Sequence, residues 1–527
     1  MKTLQTELFD SISGFESVCA IRFDGNEIPY RDLNTEALKT ASILRDLRPF
    51  PRRVGIIGQR CPAVFYAVLG SIYAGCTYVP INSKFPKSKI DRILKDAKIS
   101  VLVGPKAEWI NLKNILEPLG RIRHVLCPDE NVIINVMSGT NSSETADSWS
   151  SADPLVCPMD TDPDSNAYIM YTSGSTGKPK GVTVSGRNVL HLFQNLNVFY
   201  ELEPGYRSSQ TFDLSFDPSV CDMFYTWIRG GTLCVLPADE LYCPSDYIIR
   251  EEIEFWHSVP SIAGFMNRLG YLNTGDLPSL KHSIFVGEPL RQSLVKNWRL
   301  AAPHSTIENR YGPTESTVDV TRYESPPNDD TRRFHNGILP IGLPFEGVDI
   351  RLVDDQDQIV DGPGHGEIVV GGGQVTKGYL GDQEMTSKAF VRMPWDANNS
   401  LWYKTGDLAF YDDSGNIECL GRIDKQVKLA GRRVELGEIE HALASFDKLN
   451  DVVVVPYRDD NAVVIGLVAF ASQKLLDSEV AEIRLACQET LEDVFFPKKF
   501  VFVDRMPTLV SGKIDRKSLE ERARNVM

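Results

Sequence analysis

Apolar and polar positions follow two rhythms along the first part of the chain. Arg53–Ile57 is a short β-branched run and reads as a buried strand. Residues 63–73 place Val64, Leu69 and Ile72 among apolar positions at helical spacing, so a helix is predicted there. Residues 76–81 form the next strand, 88–97 the next helix and 99–103 a further strand. This β-α-β-α-β order predicts parallel strands covered by helices. The Ser- and Thr-rich stretch 138–153 reads as a loop. Near 350 the rhythm changes to short strands between Gly and Asp turns, at 348–353, 366–370 and 415–420. That predicts a β-rich unit packed against the α/β part. From about 425 a small α+β unit follows. Its predicted elements are strand 426–429, helix 436–446, strands 452–456 and 462–469, helix 477–491 and strand 499–503.

The length of 527 residues is more than one domain needs. Hydrophobic residues at 42% and charged residues at 24% exclude a disordered, collagen-like or coiled-coil chain. Lys+Arg 56 against Asp+Glu 71 gives a net charge of −15. Such a surface repels phosphate backbones and anionic lipid, so neither nucleic acid nor membrane is an expected partner. No apolar run is long enough for a membrane span. The opening segment MKTLQTELFDSISGF carries acids early and does not read as a signal peptide, so a cytoplasmic location is expected. The cysteines form no Cys-x-x-Cys pair and no His cluster accompanies them, so reduced thiols are expected rather than zinc or disulfides.

The sharpest local feature is Tyr171-Thr172-Ser173-Gly174-Ser175-Thr176-Gly177-Lys178-Pro179-Lys180-Gly181, directly after the apolar strand 167–170. Glycines let backbone N–H groups approach an anion, hydroxyls add donors, and lysine adds charge. This is phosphate chemistry without the spacing of a Walker A loop, because Gly174 and Gly177 are too close and Pro179 follows Lys178.

The loop closely resembles the signature of adenylate-forming enzymes, the ANL superfamily: acyl-CoA synthetases, luciferases and adenylation domains of nonribosomal peptide synthetases. Further motifs follow in that family's order: residues 73–81 (YAGCTYVPI), 309–315 (NRYGPTE), 403–407 (YKTGD), 421–428 (GRIDKQVK), 431–440 (GRRVELGEIE) and 511–517 (SGKIDRK). The resemblance implies an α/β fold with a large N-terminal domain of α/β subdomains plus a β-rich subdomain, residues 1–423, and a small mobile α+β C-terminal domain, residues 424–527. It implies ATP and Mg²⁺. A carboxylate attacks the α-phosphate to give an acyl-adenylate and pyrophosphate, and a thiol then captures the acyl group. Joining two anions requires positive charge and in-line positioning.

The same resemblance implies the site residues. Lys513 would bridge the carboxylate and the α-phosphate, and Glu315 would hold Mg²⁺. Thr314, Thr172 and Ser173 would contact phosphate, with Gly174, Ser175, Thr176, Gly177 and Lys178 completing the loop. Tyr311 would lie against adenine, Gly287, Glu288 and Pro289 would form the other wall, and Asn309 would read the base edge. Asp407 would accept the ribose hydroxyls and Arg422 would contact ribose or phosphate. Asp424 would be the hinge whose rotation withdraws Lys513 and brings the loop around Gly431 to the site.

Residues 215–224 (SFDPSVCDMF) resemble the peptide-synthetase pocket motif, with Asp217 where amino-acid activators pair the substrate ammonium. Carried over, the side-chain pocket comprises Pro218, Cys221, Ser261, Ile284, Val286, Arg310, Val318 and Asp319. Cys221 and Ser261 are small, so a sizeable substrate is expected, a polar or aromatic amino acid or an anthranilate-like one. Arg310 and Asp319 either pair with each other or bind a polar substituent. No phosphopantetheine attachment segment follows Lys513. The expected acceptor is therefore the phosphopantetheine thiol of a separate carrier protein, approached through Arg432, Arg433 or the terminal basic cluster by a monomeric enzyme. An aryl- or acyl-CoA ligase is the alternative, and a non-catalytic binding module the third reading.

Overall fold

The protein is described by a computed structural model covering residues 2–526, except 117–119, 137–142, 146–148, 150–151, 173–178, 242, 328–333, 361, 363, 424–425, 430, 447–448, 450–451, 460–462 and 509–513. The β-branched run Arg53–Ile57 pairs in parallel with Thr77–Ile81 on one side and Val101–Val103 on the other. Helices Pro62–Tyr73 and Lys87–Asp96 carry the chain back between them, as the alternation predicts. These strands centre an eight-stranded sheet that runs from Lys180–Ser185 and Asn166–Thr172 at one end to Ser143–Thr145 at the other. Ser143–Thr145 lies inside the stretch read as a loop. It pairs antiparallel with Val132–Asn135, and its polar residues escape a periodicity search because an edge strand is held by backbone hydrogen bonds.

A second, nine-stranded sheet has parallel neighbours Arg207–Gln210, Phe255–Ser258, His282–Val286 and Thr306–Tyr311. Its far edge is the hairpin Cys19–Phe23 and Asn26–Pro29, joined in parallel to Thr232–Val235. The helix Leu4–Gly14 that precedes this hairpin is capped by Thr3 and buries Leu4, Leu8 and Ile12, one face at four-residue spacing. The β-rich unit is a sheet of Val348–Val353, His365–Gly372, Trp402–Tyr411 and Phe390–Val391, with Ile417–Arg422 also on Trp402–Tyr411.

The last part of the chain folds around Val452–Arg458 and Val464–Ala471, antiparallel, with Lys499–Phe502 parallel to the latter. Val452 and Val454 face helices Leu436–Leu443 and Asp477–Cys487, while Val453 and Val455 face helix Arg516–Val526. Both of these cores are built from residues at or after Val427. Among the described residues no helix is long and apolar enough to cross a membrane.

Candidate active site

The parallel strands Phe255–Ser258, His282–Val286 and Thr306–Tyr311 end together, and a cleft opens at their carboxyl ends. Val259, Val286, Gly287, Tyr311, Gly312 and Pro313 line it, facing Thr172, Asp217, Pro218 and Asp407. A crevice at the carboxyl edge of a parallel sheet is where open α/β folds bind ligands. Asp217 opens a helical segment, Pro218–Ile228, whose middle widens into a π-turn at Cys221–Tyr225. Its Oδ2 accepts the Val318 N–H at 3.2 Å, and the Thr314 hydroxyl donates to it as well. Burial pushes the Asp217 carboxyl up to about 7, and the nearby carboxylates of Asp319 and Glu315 add to the shift.

The turn that supplies Val318 is strained. Thr317 and Val318 both have positive φ, 62° and 66°, which a β-branched residue rarely adopts. Gln374 holds them there. Its Nε2 donates to the carbonyls of Ser316, Thr317 and Asp319 at 3.4, 3.2 and 2.6 Å, and its backbone carbonyl accepts from the Thr317 hydroxyl at 2.7 Å. Gly312 is fixed by the same turn, because a Cβ there would lie 2.0 Å from the Val318 carbonyl oxygen.

At the other end of the cleft, the Tyr311 hydroxyl donates to Asp407 Oδ2 at 2.6 Å and Arg422 Nη1 donates to Oδ1 at 2.9 Å. A carboxylate has about four acceptor sites, so Asp407 retains capacity for two ribose hydroxyls. Asn309 spends both amide hydrogens on the carbonyls of Leu339 and Pro340 at 3.2 and 2.8 Å. It therefore offers a base only its carbonyl oxygen, which suits an exocyclic amine. Glu315, fully buried, takes Lys180 Nζ at 3.0 Å and the Tyr379 hydroxyl at 2.8 Å on Oε1. Among the described residues no group of three potential ligands gathers around it. This donor set fits a hard cation that takes one carboxylate here and its remaining oxygens from phosphate and water.

The side-chain pocket divides. Pro218, Val286 and Val318 line the open cleft beside Asp217. Cys221, Ile284 and Arg310 instead border a separate cavity of about 10 Å³ behind them. Arg310 and Asp319 pair with each other, Nη1 to Oδ2 at 3.3 Å, so that alternative is settled in favour of the internal pair. The Ser261 N–H donates to Glu288 Oε2 at 2.9 Å and Ser261 borders a different hollow near Arg268, whereas Gly287, Glu288 and Pro289 line a second cavity together with Asn309, Tyr311, Asp407 and Arg422.

The hairpin Gln426–Leu429 and Arg432–Glu435 reaches into the cleft from the last part of the chain, where Lys428, Gly431 and Arg432 line it. Gly431 has φ +75°, and a Cβ there would sit 2.6 Å from Val259. Its N–H donates to Glu288 Oε1 at 2.7 Å. Arg432 pairs with Glu492, which also takes Lys89 Nζ at 2.8 Å, so its guanidinium is engaged inside the cleft mouth.

Ser173, Gly174, Ser175, Thr176, Gly177, Lys178, Asp424 and Lys513 lie outside the described residues. Lys180, Tyr379 and Gln374 were given no role by sequence reasoning. Lys180 stands in the quoted phosphate motif and could have been found there. The others sit in segments with no local chemical signature.

A family model described as AMP-binding enzyme matches residues 9–380, and one described as AMP-binding enzyme C-terminal domain matches residues 438–513. Tyrocidine synthase 3 of Brevibacillus parabrevis is 30% identical over 98% of the chain, which spans 8% of that much longer protein. Zwittermicin A synthase ZmaJ of Bacillus cereus is 30% identical over 95% of the chain and 91% of its own length. Among solved structures, the Vibrio cholerae adenylation domain AlmE, in complex with glycyl-adenosine-5'-phosphate, superposes with a TM-score of 0.83. It is 25% identical, and the match covers 98% of this chain and 97% of that one.

Proposed function

We propose, for a chain that belongs to the AMP-binding enzyme family, that it activates an amino acid as its adenylate and hands it to the phosphopantetheine thiol of a carrier protein. The chain is an AMP-forming ligase with the ANL adenylation fold, using ATP with Mg²⁺. The observation that carries the amino-acid reading is Asp217, a buried carboxylate that lines the cleft. A substrate ammonium placed there points its carboxylate back toward Thr314, Tyr311 and Asp407. AlmE, whose structure holds a glycyl-adenylate, supports the same class.

In the first half-reaction a carboxylate oxygen attacks the α-phosphorus, and the bond to the bridging oxygen of pyrophosphate breaks. Asp407 and Arg422 hold the ribose end, Asn309 and Tyr311 the base, and Lys513 supplies the cation between the two anions. Mg²⁺ at Glu315 would neutralise phosphate charge. In the second half-reaction the thiolate attacks the acyl carbon and AMP leaves. The placement of Gly431 and Arg432 in the cleft supports reading this arrangement as the one for that second step, with Asp424 as the hinge between residues 1–423 and 424–527.

The test is substrate-dependent ATP–pyrophosphate exchange across amino, aryl and fatty acids, followed by loading of a phosphopantetheinylated carrier protein or of CoA. Exchange with amino acids and loading of carrier protein are the expected results. Exchange confined to aryl or fatty acids, with CoA consumed, would replace this reading with the CoA-ligase one.

A further inference from the structure

The strands below the cleft put His257, Ile284, Val286, Glu308 and Arg310 on one face, because His257 pairs with Ile284, Ile284 with Glu308, and Val286 with Arg310 in register. That face lies under the helical segment that begins at Asp217. Beneath Cys221 it is occupied by charge rather than by open space. Arg310 Nε donates to Glu308 Oε2 at 3.1 Å, Nη1 to Asp319 Oδ2 at 3.3 Å, and Nη2 to the Tyr200 hydroxyl. The Tyr200 hydroxyl in turn donates to Glu308 Oε2 at 2.7 Å, and Arg322 closes the set on Glu308 Oε1 at 2.8 Å. Arg310, Glu308 and Asp319 are 3%, 0% and 0% exposed.

We propose that this ionic cluster plugs the side-chain pocket, so that the enzyme selects an amino acid of glycine to alanine size. The inference rests on the amino-acid reading above. Behind Cys221 the room is about 10 Å³, enough for one water, so a substituent larger than a methyl group that extends past Cys221 toward Arg310 finds no space there. Admitting a larger substituent requires the Arg310 guanidinium to leave a site where it answers two buried carboxylates and a hydroxyl. Among the described residues no other cation pairs with Asp319, so the displaced state leaves a buried charge uncompensated. The plug therefore acts by excluding large substrates rather than by contacting small ones. A sizeable polar or aromatic side chain, expected from the small residues Cys221 and Ser261, is displaced by this reading. Small residues in the pocket wall do not make a large pocket when an arginine from the strand below fills the gap.

The experiment is pyrophosphate exchange on the full chain with glycine, alanine, leucine, phenylalanine and glutamate. The wild-type protein should favour glycine and alanine over leucine and phenylalanine by at least about 100-fold in kcat/KM. The double variant Arg310→Ala, Asp319→Ala, which removes both charges together, should raise leucine relative to glycine by tenfold or more. A second measurement needs no variant: non-hydrolysable glycyl and phenylalanyl adenylate analogues should inhibit with constants separated by a similar factor. Wild-type exchange with phenylalanine or leucine at the level of glycine would overturn the plug while leaving amino-acid activation standing. Exchange only with acids lacking an amine would instead overturn the reading on which it rests.

Discussion

The carboxylate of Glu288 ties two distant backbone positions together, accepting the Ser261 N–H on Oε2 at 2.9 Å and the Gly431 N–H on Oε1 at 2.7 Å. Ser261 belongs to the large α/β part and Gly431 to the hairpin that enters the cleft, so one buried side chain couples the catalytic floor to the arriving hairpin. Burial raises the Glu288 carboxyl, and the N–H donors counter that rise. Replacing Oε1 or Oε2 with an amide removes one acceptor and leaves an N–H without its bond, at a cost of about 1–3 kcal/mol. Glu288→Gln should therefore lower carrier loading by about 10- to 100-fold. Pyrophosphate exchange, for which the proposed cycle withdraws the hairpin, should change by only a few-fold. Equal losses in both assays would remove Glu288 from the coupling.

A second contact has the same consequence through charge. Lys89 Nζ reaches Glu492 Oε1 at 2.8 Å, and Arg432 binds the other oxygen. The pair is largely shielded, with side chains 19% and 10% exposed, so it is worth more than an ordinary surface bridge. Glu492→Gln should slow carrier loading about three- to tenfold, since hydrogen bonds to a charged group contribute about 1.5–3 kcal/mol and an amide retains part of this. Raising ionic strength should slow the wild-type protein more than the variant. An identical salt dependence in both would show that Glu492 has no part in holding the hairpin.

Much of this was legible in the sequence. The ordered motifs carried the fold, and the β-α-β-α-β rhythm found Arg53–Ile57 and the two strands that pair with it in parallel, though not that it lies between them. Tyr311, Asp407 and Arg422 meet as their motifs implied, although their segments are far apart in the chain. What was not legible depends on contacts between segments with no signal of their own. Gln374 sits in a glycine-rich turn that could serve any loop, and its function comes from the three carbonyls the fold brings to it. The direction Arg310 takes was equally hidden, since a pocket position carried over from a motif says nothing of whether its side chain opens or fills the space.

On the proposed amino-acid reading, the raised carboxyl of Asp217 should make substrate binding pH-dependent in a defined direction. Its ordinary value is 3.8 and burial lifts it to about 7, so the free enzyme at pH 5 to 6 carries it mostly protonated. The stability that this neutral form confers is present at low pH and is lost as pH rises toward 7. A substrate ammonium binds only the ionised form. Hence kcat/KM for the amino acid should rise about tenfold per unit from pH 5 to 7 and level off above it. The increase in melting temperature on adding substrate should grow over the same interval. Asp217→Asn should abolish this limb and lower kcat/KM by about 10²–10³, the loss expected when one partner of a buried charge pair is removed. A pH profile unchanged by Asp217→Asn would show that another group sets the limb.

Gln374 predicts an effect that separates positioning from simple stability. It touches neither cleft end, yet it holds Val318 at φ 66°, and Val318 donates its N–H to Asp217. Gln374→Ala would leave the buried carbonyls of Ser316, Thr317 and Asp319 without this donor, a loss of about 1–3 kcal/mol. A backbone strain of similar size, about 1–3 kcal/mol, would then be free to relax by turning Val318 away. The melting temperature should fall by a few degrees. If the turn also relaxes, Asp217 loses a donor and the ammonium site loses its shape. KM for the amino acid should then rise about tenfold or more, while KM for ATP, whose proposed contacts are Asn309, Tyr311 and Asp407, should hold within about twofold. A fall in melting temperature with both constants unchanged would confine Gln374 to the fold, because a merely structural residue has no reason to act on one substrate and spare the other.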